Sequence, residues 1–115
     1  MLKFQIGLSF KLLFRYIVYK YSLIYWEEEM KKILELIYII EECISEYDIK
    51  KLMKYVDLLV EELLKALSMV DKEHTNHINN LFYNANVALL NKDYILYEDI
   101  LEYELKPILE KIINE

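Results

Sequence analysis

Glycine, proline and cysteine each occur once in this 115-residue chain, as Gly7, Pro107 and Cys43. Sheet proteins need glycine and proline at turns and bulges, whereas helices joined by short polar turns do not, so the composition points to an all-α chain. One cysteine excludes an internal disulfide and a cysteine-based metal cage. With no second glycine there is no glycine-rich phosphate loop, and no Ser-His-Asp arrangement has its materials. The longest stretch without acid lies at the start. Residues 1–26 carry Lys3, Lys11, Arg15 and Lys20 and no carboxylate, a charge of +4, which leaves −10 on the rest of a chain whose net charge is −6. That acidic remainder repels phosphates and argues against a nucleic-acid partner.

What is present is apolar: hydrophobic residues make up 56% of the chain and charged residues 30%, enough for one domain with one modest core. Residues 1–26 form a basic, aromatic-rich leader. Cations at 11, 15 and 20 interrupt any membrane span, and there is no unbroken apolar run with a small-residue cleavage site for a secretory signal. A helix lying on a membrane surface is compatible with the composition, although Lys3, Lys11 and Arg15 share one side while Lys20, Gln5 and Ser9 fall elsewhere. A further reading is that translation starts at Met30. The run Trp26-Glu27-Glu28-Glu29-Met30 can be encoded by a purine-rich ribosome-binding sequence just ahead of a start codon, which would make residues 1–29 an over-extended reading of the gene and 30–115 the domain.

From Met30 the periodicity predicts an antiparallel up-down bundle of about four helices, over 30–46, 48–70, 73–90 and 93–113, with the leader as an additional hydrophobic helical segment. In the first helix Met30, Ile33, Leu36, Ile37, Ile40 and Ile44 share a face opposite Lys31, Glu35, Glu42 and Glu46. In the second, Ile49, Leu52, Val56, Leu59, Leu63, Ala66 and Val70 keep an unbroken 3-4 spacing. Asp48 caps that helix, and Glu61 pairs with Lys65 on its solvent side. The third turns Ile78, Leu81, Phe82, Ala85, Ala88 and Leu89 inward; its many asparagines make it dependent on packing. Asn91 suits the left-handed position after it, and Asp93 caps the last helix. There the inward face is Leu96, Tyr97, Ile100, Leu101, Tyr103, Leu105, Ile108 and Ile112, with Glu102, Lys106 and Glu110 as a ladder outside. Pro107, whose ring clashes with the Tyr103 carbonyl, predicts a kink.

Chemistry finds little to work with. His74 and His77, one turn apart beside Asp71 and Glu73, could begin a metal site, but a carboxylate-bridged di-metal bundle needs two Glu-x-x-His motifs and the chain offers a single Asp-x-x-His. Cys43 has Glu41 and Glu42 as neighbours, which disfavour a thiolate. Glu98, Asp99, Glu102 and Glu104 alternate around their helix, as a solvated face does. The expectation is therefore a non-enzymatic protein without catalytic, cofactor or metal residues. Tyr38, Ile39, Tyr55, Leu64, Tyr83 and Leu90 fall outside the main stripes and suit contact with a protein partner or a second copy.

The tail Asn91-Lys92-Asp93-Tyr94 … Asp99-Ile100-Leu101-Glu102-Tyr103-Glu104-Leu105 … Pro107-Ile108-Leu109-Glu110 resembles a C-terminal pattern of small, uncharacterised all-helical bacterial proteins, N-K-D-Y…D-x-L-E-Y-E-L-x-P-x-L-E. The resemblance covers about the last quarter of the chain, implies a helical build without assigned activity, and brings an association with motility or flagellar gene sets. The chain lacks the N-terminal pattern of a flagellin export chaperone proper. Two functions emerge as expectations: a cytoplasmic adaptor or chaperone-like interaction module, or a peripheral membrane protein anchored through residues 1–26.

Overall fold

The computed structural model of the chain describes the backbone of residues 2–68 and 70–114, and the side chains of these residues except 2–9 and 22. The fold is all-α, with no strand among the described residues. Helix α1 spans Leu2–Ser45, α2 Ile49–Leu67 and α3 Lys72–Leu90; the last helix comprises α4, Tyr94–Ile100, a π-helical turn, Leu101–Leu105, and α5, Lys106–Ile113. The four predicted helices all form. A correction concerns the first, which does not begin at Met30: leader and first helix are one 44-residue helix. Nothing between them can stop it, since Trp26 to Met30 contains neither glycine nor proline and its glutamates are good helix formers. The second ends at Leu67, short of Val70.

Packing joins α1 to α2, α3 to α4, and α1 also to α4 and α5. The core is a continuous cluster that includes Met30, Ile33, Ile37 and Ile40 of α1, Leu52, Leu59 and Leu63 of α2, Ile78 and Ala85 of α3, and Tyr97, Leu101, Leu105 and Leu109 of the last helix. The α2 seam is buried from Leu52 to Ala66 as the spacing predicts, with Ile49 and Val70 half-buried at its ends.

Two of the connections use the same device. After α1, Tyr47 adopts φ 55°; its N–H donates to the Ile44 carbonyl at 3.0 Å and that of Asp48 to the Cys43 carbonyl at 2.9 Å. After α3, Lys92 adopts φ 56°, with matching bonds to Leu89 at 3.0 Å and from Asp93 to Ala88 at 2.8 Å. Both are Schellman caps, which usually place glycine at the left-handed residue. The left-handed position is Lys92, not Asn91, whose φ is −86°. In each turn the next residue is an aspartate that caps the following helix: Asp48 Oδ1 accepts from the Lys51 N–H at 3.2 Å, and Asp93 Oδ1 from the Leu96 N–H at 3.1 Å. Asp71 does the same for α3, accepting from the His74 N–H at 2.8 Å. Tyr47 and Tyr94 meet edge to face, ring centroids 6.1 Å apart, which ties the two Schellman turns together.

Pro107 is passed by a widened turn. The Lys106 N–H donates to the Leu101 carbonyl, five residues back, and the backbone stays helical on both sides. Such a turn makes room for a ring that a regular α-turn would press against the carbonyl four residues earlier. It also adds one residue to the turn and so rotates the rest of the helix about its axis. That explains a second correction: Leu109 is buried and Ile108 only half-buried. Tyr103, also expected inward, is 74% exposed, because two residues past the buried Leu101 is the far side of the helix. Leu96 is exposed as well, since the buried face at the start of α4 runs through Tyr97 and Ile100.

Candidate functional site

The first 25 residues of α1 are an arm. The molecule measures 68 × 24 × 20 Å with a radius of gyration of 18.8 Å, against about 13 Å for a compact domain of this length. Every described side chain from residue 10 to residue 25 is exposed, including Phe10 at 67%, Phe14 at 60% and Tyr21 at 70%. Apolar residues lie on all sides of this stretch, and Lys11, Arg15 and Lys20 are its only charges. Contact with the body begins at Trp26, half-buried against the core, and at the buried Glu29 and Met30.

Two carboxyl pairs flank the part of α1 that lies in the body, one at its start and one near its end. Glu29 lies within hydrogen-bonding reach of Glu62 on α2, and Glu41 within reach of Glu102 in the π turn. Positions 29 and 41 are about 120° apart around the helix, which is why each meets a different neighbour. In both pairs one member is held as an anion by a lysine on its own helix, Lys65 Nζ to Glu62 Oε1 at 3.4 Å and Lys106 Nζ to Glu102 Oε1 at 3.4 Å. The other oxygens of these two glutamates, and Oε1 of Glu29 and of Glu41, are buried and find no donor among the described residues. Protonation of one member supplies a pair with the hydrogen bond it lacks. Burial and the bond to Glu102 accordingly raise the Glu41 carboxyl to about 7, while Glu102 is lowered by its bond from Glu41 against the opposing effect of burial. Glu29 is raised in the same way, by burial first and Glu62 second, and Glu62 is lowered. Lys65 therefore pairs with Glu62, not with Glu61 as expected.

The remaining candidates stay apart. His74 is half-buried at the start of α3, its Nε2 3.9 Å from Asp71 Oδ2; His77 is exposed. Among the described residues no three His, Cys, Asp or Glu side chains are grouped to hold a metal ion. Cys43 is buried in the core, and that burial pushes its thiol pKa upward. The Tyr97 hydroxyl is buried without a partner among the described residues, and burial raises its pKa too. Of the contact residues singled out in the sequence, Tyr38, Leu64, Tyr83 and Leu90 are exposed, whereas Ile39 and Tyr55 pack against the core. The carboxyl pairs were not foreseen: Glu29 and Glu41 look like ordinary surface residues until the neighbouring helices are in place.

Residues 16–115 match the family described as Domain of unknown function (DUF8042). The chain belongs to this family. The DUF8042 region starts within the arm, so Tyr16 to Tyr25 and all four paired glutamates fall inside it. No curated protein and no solved structure matches the chain. Among the described residues no helix is long and apolar enough to cross a membrane.

Proposed function

We propose that the protein is a non-enzymatic helical interaction module, an adaptor or chaperone-like protein of the bacterial cytoplasm, whose α1 arm is its contact element. The observation that carries this reading is the exposure of residues 10–25, a run of large apolar side chains beyond the end of the packed core. A helix that is apolar all round is ordinarily covered on every side, and exposed apolar surface of this extent marks an interaction site. An association with motility rests on the resemblance of the C-terminal tail alone. In the same reading the body is an up-down bundle with antiparallel neighbours, an arrangement that its three- and four-residue connections favour.

The test is to replace Phe14, Ile17 and Tyr21 with glutamate in the full chain and follow association by light scattering and pull-down. Binding is expected to vanish while the circular dichroism of the body stays; undiminished association would overturn the proposal. A natural N-terminus at Met30, read by mass spectrometry, would remove the arm and the proposal with it. The alternative is a membrane-surface anchor, favoured by the combination of Lys11, Arg15 and Lys20 with tyrosines. It predicts that the full chain co-sediments with vesicles of phosphatidylglycerol and phosphatidylcholine and that the chain lacking residues 1–25 does not.

A further inference from the structure

From the arm and the outer face of α1 we infer that the arm's partner is a second copy of this chain, with the two α1 helices lying antiparallel so that each arm covers the other's outer face. The inference rests on the interaction reading above and names the partner it leaves open. Its first support is surface area. The chain exposes 8513 Å², whereas a compact monomer of 14.0 kDa exposes about 6,700 Å². The excess, roughly 1,800 Å² per chain, is of the size that a stable, obligate dimer buries on each partner.

The second support is charge. The arm's charges are all basic, and the exposed outer face of α1 in the body carries Lys31, Glu35 and Glu42 around the exposed Tyr38, continued by Glu46 in the turn that follows. Lys11 and Arg15 stand one turn apart, as do Glu42 and Glu46. An antiparallel pair centred near Glu28 brings Lys11 level with Glu46 and Arg15 level with Glu42. Winding the two helices into a left-handed supercoil of about 3.5 residues per turn puts positions 11 and 46, five heptads apart, on the same side, with 15 and 42 flanking them, and the two-fold relation makes the same contacts twice. This face points away from α2 and the last helix, so a second helix reaches it without disturbing the core. A lipid surface fits less well: an arm that is apolar on all sides has no polar face to leave in water, and the acidic body behind it would be repelled by anionic headgroups.

The experiment is sedimentation equilibrium of the full chain and of charge-reversed variants. The unaltered chain should have twice the 14.0 kDa chain mass. Lys11→Glu with Arg15→Glu should weaken association by about tenfold or more, as should Glu42→Lys with Glu46→Lys, and the four changes together should restore it. A chain that stays monomeric, or a reversed pair that associates as tightly as the original without rescue in the fourfold variant, would overturn the inference. In either case, binding of the chain to phosphatidylglycerol-containing vesicles, lost in the Phe14, Ile17 and Tyr21 variant, would keep the arm as a contact element and move the partner to a membrane. A monomer that leaves such vesicles unbound and captures no protein through the arm would remove both proposals.

Discussion

Residues 10–25 and residues 30–44 lie on one unbroken helix, and both are rich in isoleucine and leucine. In the second stretch Met30, Ile33, Ile37, Ile40 and Ile44 share a face, and α2 with the last helix covers it completely. In the first the apolar residues face every direction, and the described side chains of residues 10–25 are left exposed by the rest of the chain. Apolar content was equal to the task in both halves; spacing decided which half joined the core.

The contrast can be broken most directly with one residue type placed in each region. In the Lys11→Glu, Arg15→Glu background, chosen to hold the chain monomeric, Leu59→Ala should lower the unfolding free energy in urea by about 2–5 kcal/mol. Leu13→Ala in the same background should change it by no more than about 0.5 kcal/mol. Equal losses would mean that the arm is packed after all.

Within the packed region, near the C-terminal end of α1, pH should act. The Glu41 carboxyl, raised to about 7, faces Glu102, Glu98 and Lys106 of the last helix. Its ordinary value is 4.5, so between there and about pH 7 the folded chain holds a proton that the unfolded chain has released. Stability should therefore fall as pH rises through that window and level off above it, by an amount on the order of 1 kcal/mol after solvent screening. The lowered Glu102 acts in the opposite sense and only at more acid pH, where its contribution is lost as pH falls. Glu41→Gln keeps a donor toward Glu102 at every pH, so its urea midpoint should lose most of this slope and exceed that of the parent at pH 8.

A smaller change sharpens the body alone. Lys92→Gly relieves a left-handed residue that glycine adopts freely and should raise stability by about 0.5–1 kcal/mol; a loss would mean that the Lys92 side chain contributes contacts of its own. Smallest of all, deleting residues 1–25 should leave the urea midpoint of the remaining bundle within the equivalent of about 0.5 kcal/mol of that of the Lys11→Glu, Arg15→Glu chain, because none of the described side chains removed is buried.

The body was largely legible in the sequence because its helices obey period and punctuation together: the α2 seam from Leu52 to Ala66 and the caps at Asp48 and Asp93 come from spacing and residue type. The features that were not legible depend on groups distant in the chain or on a local change of period. Glu29 and Glu41 meet their partners only after helices pack. Leu109 takes the buried place expected for Ile108 because the turn before Pro107 holds one residue more than a regular helix would. The arm was read as a separate segment since its composition changes at Trp26, yet composition can change along a helix without ending it.

That wide turn also bears on how related chains compare. A helix carrying one surplus residue is, in the language of alignment, a helix with a built-in gap. A relative with a regular turn there would match this chain up to Leu101 and again from Leu105 onward only if one position were skipped. Such a relative should also lack the proline at the position of Pro107, since the ring and the surplus residue accommodate each other.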